Sequence, residues 1–136
     1  MAYFLAKTDP ETYSIDDLAR EKRTTWDGVK NPQALRAVRE MQAGDIVFIY
    51  HSGGGSAVVG LARVASAPRA DPKNAKLAVV DFEFLRRLDP PTTLAEIKES
   101  RLFGDWALVR QGRLSTMAAP AAFATWMRKR HPNAGI

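Results

Sequence analysis

Ile46-Val47-Phe48-Ile49-Tyr50-His51-Ser52 is the stretch that decides the fold. Five consecutive β-branched or aromatic residues make both faces of a strand apolar, so the segment reads as a strand buried on both sides. Gly44-Asp45 turns the chain into it, and Gly53-Gly54-Gly55 follows. The strand therefore spans Asp45 to His51 and delivers His51 and Ser52 to its end, beside a glycine loop. That loop invites comparison with phosphate-cradling loops, but no Lys-Ser/Thr pair follows it. The next segment, Ala57 to Val64, reads as a second strand, so a hairpin-like connection is the better reading. Gly60 within that strand marks a bulge or a close approach of other atoms.

Working upstream, Asn31-Pro32 announces a helix over 32–41. Asn accepts from free N–H groups of a first turn, and Pro there sacrifices no needed donor. Ala34, Leu35, Val38 and Met41 form its apolar stripe, with Arg36, Arg39 and Glu40 facing away. Thr25 to Lys30 reads as a loop that carries Trp26. Ser14 and Asp17 pair as a capping box for a helix over 15–21, and Tyr3 to Ala6 is a first strand. Downstream, Ala67 to Pro72 reads as a surface loop. Leu77 to Leu88 alternates as a half-exposed strand that Asp89-Pro90-Pro91 should break. Thr93 and Glu96 cap a short helix, and Trp106-Ala107-Leu108 reads as helix or loop. Arg113 to Met117 reads as a last strand, and Pro120 starts a C-terminal helix burying Phe123, Trp126 and Met127. Five or six strands without regular strand-helix alternation make an α+β fold. Its mixed, largely antiparallel sheet can curl into a small barrel, a single domain over 1–136.

Composition narrows the function. The chain has 136 residues, 46% apolar and 26% charged, which excludes disordered and collagen-like classes. No apolar run approaches bilayer length, and Met1 to Ala6 lacks the basic start of a secretory signal. The expectation is a cytoplasmic monomer without membrane contact. With no Cys and two His, neither a thiolate nucleophile nor a metal site is expected, and no cofactor. The +5 net charge and pI of 9.8 fit a nucleic-acid partner, although a modestly basic solvated surface has the same composition. Arg20, Lys22 and Arg23 precede Trp26, Arg36 and Arg39 follow it, Arg110 and Arg113 flank Gly112, and Arg128-Lys129-Arg130-His131 lies near the C-terminus.

Trp26 in a polar stretch suits a base-stacking platform that faces a ligand rather than the core, worth about 1–3 kcal/mol per base. His51 and Ser52 can supply an imidazole and a hydroxyl at the strand end, or His51 can be a satisfied structural residue. Asn31 is first a helix cap. Arg36, Arg39, Arg110 and Arg113 are candidate phosphate contacts or ordinary surface charges.

Taken in order, Tyr3-Phe4-Leu5, Lys7-Thr8-Asp9-Pro10, Tyr13-Ser14-Ile15-Asp16-Asp17-Leu18, Trp26-Asp27-Gly28-Val29-Lys30-Asn31, Gly44-Asp45, Tyr50-His51-Ser52 and Leu108 to Ser115 resemble the EVE domain. This is a family of the PUA-like superfamily that also holds the YTH and ASCH domains. The resemblance implies a curved pseudo-barrel and a non-enzymatic reader of a modified base, typically an altered cytosine or adenine, in DNA or RNA. It implies that Lys7, Thr8 and Ser115 join Trp26, Asn31, His51 and Ser52 around the base. Thr8-Asp9 replaces the family's common Ser-Glu, Lys30 stands where Arg is frequent, and Pro32 where an aromatic is common. The alternative is a small enzyme on a nucleotide or nucleic acid, with His51 as general base, Lys7 as electrostatic stabiliser and Asp27 orienting the imidazole.

Overall fold

The computed structural model describes residues 1–53 and 55–136; Gly54, in the middle of the expected glycine loop, lies outside them. The strand anticipated at the centre is β3, Ile46–His51, with Ile46 through Tyr50 all buried. Two strands flank it: β1 (Tyr3–Thr8) runs parallel, with Tyr3 opposite Ile46 and Thr8 opposite His51, and β4 (Ala57–Val64) runs antiparallel. Between β1 and β3 the chain forms α1 (Ile15–Glu21), β2 (Arg23–Trp26) and α2 (Pro32–Glu40). After β4 come β5 (Arg69–Asp71), β6 (Asn74–Thr93), α3 (Leu94–Glu99), α4 (Ala107–Arg110), β7 (Thr116–Ala119) and α5 (Ala121–Arg130). Strand order is β2-β6-β4-β3-β1-β7, with β5 paired to β6, in a curved sheet that does not close.

Both capping boxes form as expected: Ser14 Oγ accepts from Asp17 N, and Thr93 Oγ1 accepts from Glu96 N, each acid returning to the cap. Helix α2 buries Ala34, Leu35 and Val38, and Met41 just beyond it is buried too, while Arg36, Arg39 and Glu40 stay exposed. Phe123 and Met127 of α5 are fully buried, Phe123 against Phe48, Phe103 and Trp106, and Trp126 is half-buried.

Four elements differ from the sequence expectation. The Trp26 segment is an edge strand, β2, because Arg23 through Trp26 pair with Glu83 through Val80 of β6. Arg69–Asp71 forms a short strand that leads into a tight hairpin and pairs with β6 from Asn74 to Val79. Strand β6 runs through Asp89-Pro90-Pro91, with a cis Asp89–Pro90 bond. Its partners step from Gly60↔Arg87 to Val58↔Thr92, so both prolines lie in a break of register where no ladder donor is required. The last strand is Thr116–Ala119 instead of Arg113–Met117, since β1 pairs it only from Ala6↔Thr116 to Tyr3↔Ala119.

Gly60 sits at that register break because α1 docks on it. A β-carbon there would lie 2.5 Å from Ile15 Cδ1 and 2.9 Å from the Arg86 carbonyl oxygen. Gly60→Ala should therefore cost about 1–3 kcal/mol through overpacking, read as a lowered urea midpoint at unchanged slope.

Candidate functional site

The carboxyl end of β1, the loop after it and the free edge of β2 enclose a cavity of about 410 Å3. Thr8, Thr12 and Tyr13 form one wall; Thr24, Thr25, Trp26 and Asp27 form the other. Tertiary hydrogen bonds hold the first wall: Thr8 Oγ1 donates to the Tyr13 carbonyl at 2.7 Å, and Thr12 and Tyr13 N–H groups donate to Asp9 O. The second wall is an edge strand, so its outer backbone groups have no strand partner and can meet a ligand's polar edge. The volume falls in the range of small-molecule sites and suits one flat base.

Trp26 is only 8% exposed. Its ring lies 5.0 Å from Phe82 and meets Tyr13 edge-on at 6.0 Å, while part of it lines the cavity. The expectation that it stands clear of the core is corrected: it packs in the core and also borders the cavity, and its removal would cost about 3–5 kcal/mol of folding energy. Tyr13 is more exposed. Burial first, then a 2.5 Å hydrogen bond to Glu21, pushes its phenol up to about 12, so it stays a neutral donor at physiological pH.

Parallel pairing gathers most of the other anticipated residues at the strand ends beside Thr8. Ser52 N and Oγ both donate to Thr8 O, at 3.0 and 3.4 Å. Lys7 Nζ donates to Gly112 O at 3.0 Å and lies 5.4 Å from the Tyr50 ring centroid, and burial lowers its pKa. Lys7 N donates to Ser115 O at 2.7 Å, which ties the Gly112 to Ser115 turn to β1. Asn31 caps α2, accepting from Gln33 N at 2.8 Å and Ala34 N at 3.2 Å. Of the seven expected base contacts, Thr8 and Trp26 line the cavity, whereas Lys7, Asn31, His51, Ser52 and Ser115 stand outside its wall.

His51 Nε2 accepts the Ile15 N–H at 3.0 Å. Only the neutral Nδ1–H tautomer does this, so the imidazole has no free lone pair for general-base work in this arrangement. The acid whose charge reaches it is Asp16, not Asp27.

Among the phosphate candidates, Arg36 and Arg39 lie on the exposed face of α2, and Arg39 donates to Lys76 O at 2.9 Å. Arg110 is held by Asp105 at 3.0 Å and by Gly104 O, and Arg113 is exposed. In the C-terminal basic cluster Arg130 binds Glu96 and Arg128 donates to Ile136 O at 2.9 Å. Thr12, Tyr13, Thr24 and Thr25 line the cavity although the sequence reading did not single them out as base contacts. Their signals were present: Thr24-Thr25-Trp26 is a β-branched and aromatic run, and Tyr13 directly precedes a capping box.

Among the described residues no three His, Asp or Glu side chains are placed to hold a metal, and no helix is long and apolar enough to cross a membrane.

Comparison with known proteins gives one family: the EVE domain, whose model matches residues 2–130. Human thymocyte nuclear protein 1 is 33% identical over 125 residues, covering 71% of this chain and 56% of the human protein. The chain thus spans just over half the length of that curated relative. A solved protein of Rhodopseudomonas palustris is 32% identical with a TM-score of 0.90, covering 97% of this chain and 94% of the other. The human THYN1 protein, solved in complex with DNA containing 5-methylcytosine, shares the fold at a TM-score of 0.87. It is 23% identical and covers 96% of this chain and 98% of that one.

Burial, the larger cause, lowers the His51 pKa below its ordinary 6.5, and Asp16 opposes the shift. A His stabilised neutral contributes stability that is complete above its unfolded pKa and is lost as pH falls through the lower folded value. Stability should therefore drop below about pH 6.5, and His51→Gln should reduce that slope in urea titrations across pH, leaving the contribution of His131, which is lowered by burial and by Arg130 against Glu96.

Proposed function

The chain belongs to the EVE domain family, and on that premise we propose that it is a non-catalytic reader holding one modified base of a nucleic acid in the cavity that Tyr13 and Trp26 help to line. That cavity, with aromatic walls and an unpaired strand edge in one place, is the observation that carries the reading. An aromatic wall is indifferent to base identity, because every base has a π-face. Discrimination must come from the hydroxyls of Thr8, Thr12, Thr24 and Thr25, the Asp27 carboxylate and the β2 backbone edge. The mixture of hydroxyls and apolar surface can bury an added methyl while satisfying an amide edge. Human THYN1 was solved with DNA containing 5-methylcytosine, which makes that base in DNA the first candidate here. The base enters most easily from a single strand or flipped from a duplex, where unstacking costs least.

The enzymatic alternative loses its general base, because the Ile15 N–H occupies His51 Nε2. What remains near the cavity is suited to binding: hydroxyls, a carboxylate and two aromatic rings.

Burying one methyl is worth about 0.8 kcal/mol, and the hydrogen bonds to the base edge are the same with and without it. The methyl therefore favours the modified base by about fourfold. Fluorescence anisotropy with paired oligonucleotides differing only in one 5-methylcytosine should show this ratio. Tyr13→Ala should weaken both by about tenfold through lost stacking. Thr12→Tyr, which adds bulk to the cavity wall from the exposed loop after β1, should abolish the preference. Equal binding of both oligonucleotides by the wild type, or an undiminished preference in Thr12→Tyr, would refute the assignment.

A further inference from the structure

A line of cations leads away from the cavity. Thr25, in the cavity wall, receives Arg69 Nη2 at 3.5 Å, and the same guanidinium binds Asp81 at 2.9 Å. Arg69 also lines a shallow groove of about 310 Å3 under the β5–β6 hairpin, whose far side is Arg39 of α2. Arg39 and Leu77 belong equally to a second groove, of about 540 Å3, which continues along α2 past Lys76 and Arg36 to Lys30. Two elements distant in sequence, the 69–77 hairpin and the α2 helix, thus form one channel. Its neighbouring wall returns to the cavity through the short connection from Asp27 to Lys30.

The charge of this channel is unbalanced. Arg69, Arg39, Arg36, Lys76 and Lys30 are all exposed, and Glu40 is the acid that lines it with them. Among the described residues, Lys30, Arg36, Arg39 and Lys76 have no carboxylate within ion-pair distance. Asp81 is shared by Arg69 and Arg23, so that trio keeps one net positive charge. Burial works to raise the Asp81 pKa, but hydrogen bonds from Arg69, Arg23 and Thr25 more than offset it, so the carboxylate stays charged and holds Arg69 at the cavity rim. Elsewhere Arg20, Arg63, Arg87, Arg110 and Arg130 each have their own acid, and the arginines without one among the described residues, Arg86, Arg101, Arg113 and Arg128, line neither groove. A channel with apolar floor residues Leu35 and Leu77 and flexible cations on both banks matches a nucleic-acid backbone, with phosphates outward to the cations and sugars against the floor.

We propose that the channel running from Arg69 through Arg39 and Lys76 to Arg36 and Lys30 is a phosphate track that carries the strand flanking the base held in the cavity. It rests on the reading of the cavity as a base site. It also displaces Arg110, which Asp105 holds, from the set of backbone contacts expected from sequence. Four phosphates engaged on a single strand would give a log-log salt slope near about −3.

The test uses anisotropy titrations at several salt concentrations, with a twelve-nucleotide strand and a trinucleotide, each with or without one central 5-methylcytosine. Arg39→Gln/Lys76→Gln should weaken binding of both twelve-mers by the same factor, about tenfold, and flatten the slope by about 1.4. It should leave the trinucleotide and the modified-to-unmodified ratio unchanged. Lys30→Gln/Arg36→Gln, which disturbs none of the hydrogen bonds given above, should do the same and guards against misfolding of the first pair. Arg110→Gln should leave the slope unchanged. If neither track variant alters the slope while the wild type still prefers the modified base, the track is wrong and the cavity reading stands. If the wild type shows no preference but the slopes behave as stated, the cavity reading fails and the track survives. Poly-glutamate competing as well as the unmodified twelve-mer, with the same sensitivity to both variants, would give the track to an acidic protein partner and overturn the proposal.

Discussion

The parallel pairing of β1 with β3 is the constraint on which the rest depends. Ile46 to Tyr50 is apolar on both faces and must be covered on both, and its ladder needs a strand on each edge. One edge takes β4 through the short 52–56 connection. The other takes β1, and because that pairing is parallel the chain must cross from the end of β1 back to the start of β3. The crossover is where α1, β2 and α2 are spent, and it carries every residue of the cavity wall except Thr8. The same pairing sets Thr8 beside His51, whose ring accepts the first N–H of α1 and so fixes that helix over Gly60.

The cavity follows from what the sheet does not do. Its curvature brings β2 toward the carboxyl end of β1, but the two do not pair, and the gap is bridged by Tyr13 and Thr12 instead of by a ladder. A closed barrel would have used the β2 edge for hydrogen bonds and filled the space with side chains. Trp26 illustrates the compromise: its contact with Phe82 belongs to the core, and the part of its ring left open belongs to the site. Charge is distributed on the same logic. Ion pairs engage Arg20 of α1, Arg63 of β4, Arg87 of β6 and Arg130 of α5, and Asp81 binds Arg69 of β5, while among the described residues Lys30, Arg36, Arg39 and Lys76 have no carboxylate partner.

Much of this was legible in the sequence where a local rule and the tertiary demand agree. The apolar run at β3, both capping boxes, the Asn31-Pro32 helix start and the bulge glycine are each specified within a few residues. What escaped depends on pairing partners. Thr24-Thr25-Trp26 looks like a loop until Asp81, directly opposite, accepts from Thr25 and binds Arg23. Asp89-Pro90-Pro91 looks like a break until the β4 bulge removes the need for donors there. The site divides similarly. Thr8 and Trp26, expected from chemistry and resemblance, line the cavity, whereas His51 and Asn31 accept the Ile15, Gln33 and Ala34 N–H groups, partners that only the folded chain reveals. Arg110 and Arg36 are indistinguishable as sequence; Asp105 separates them.

The central claim is that the base sits in the cavity lined by Tyr13 and Trp26, and amide chemical shifts followed during titration with a short 5-methylcytosine oligonucleotide test it most directly. The expected result is that the largest changes fall on Thr8, Thr12, Tyr13 and Thr24 to Asp27. Largest changes at another surface groove, such as the one between Arg86 to Asp89 and His131 to Ala134, with the cavity amides unmoved, would contradict it.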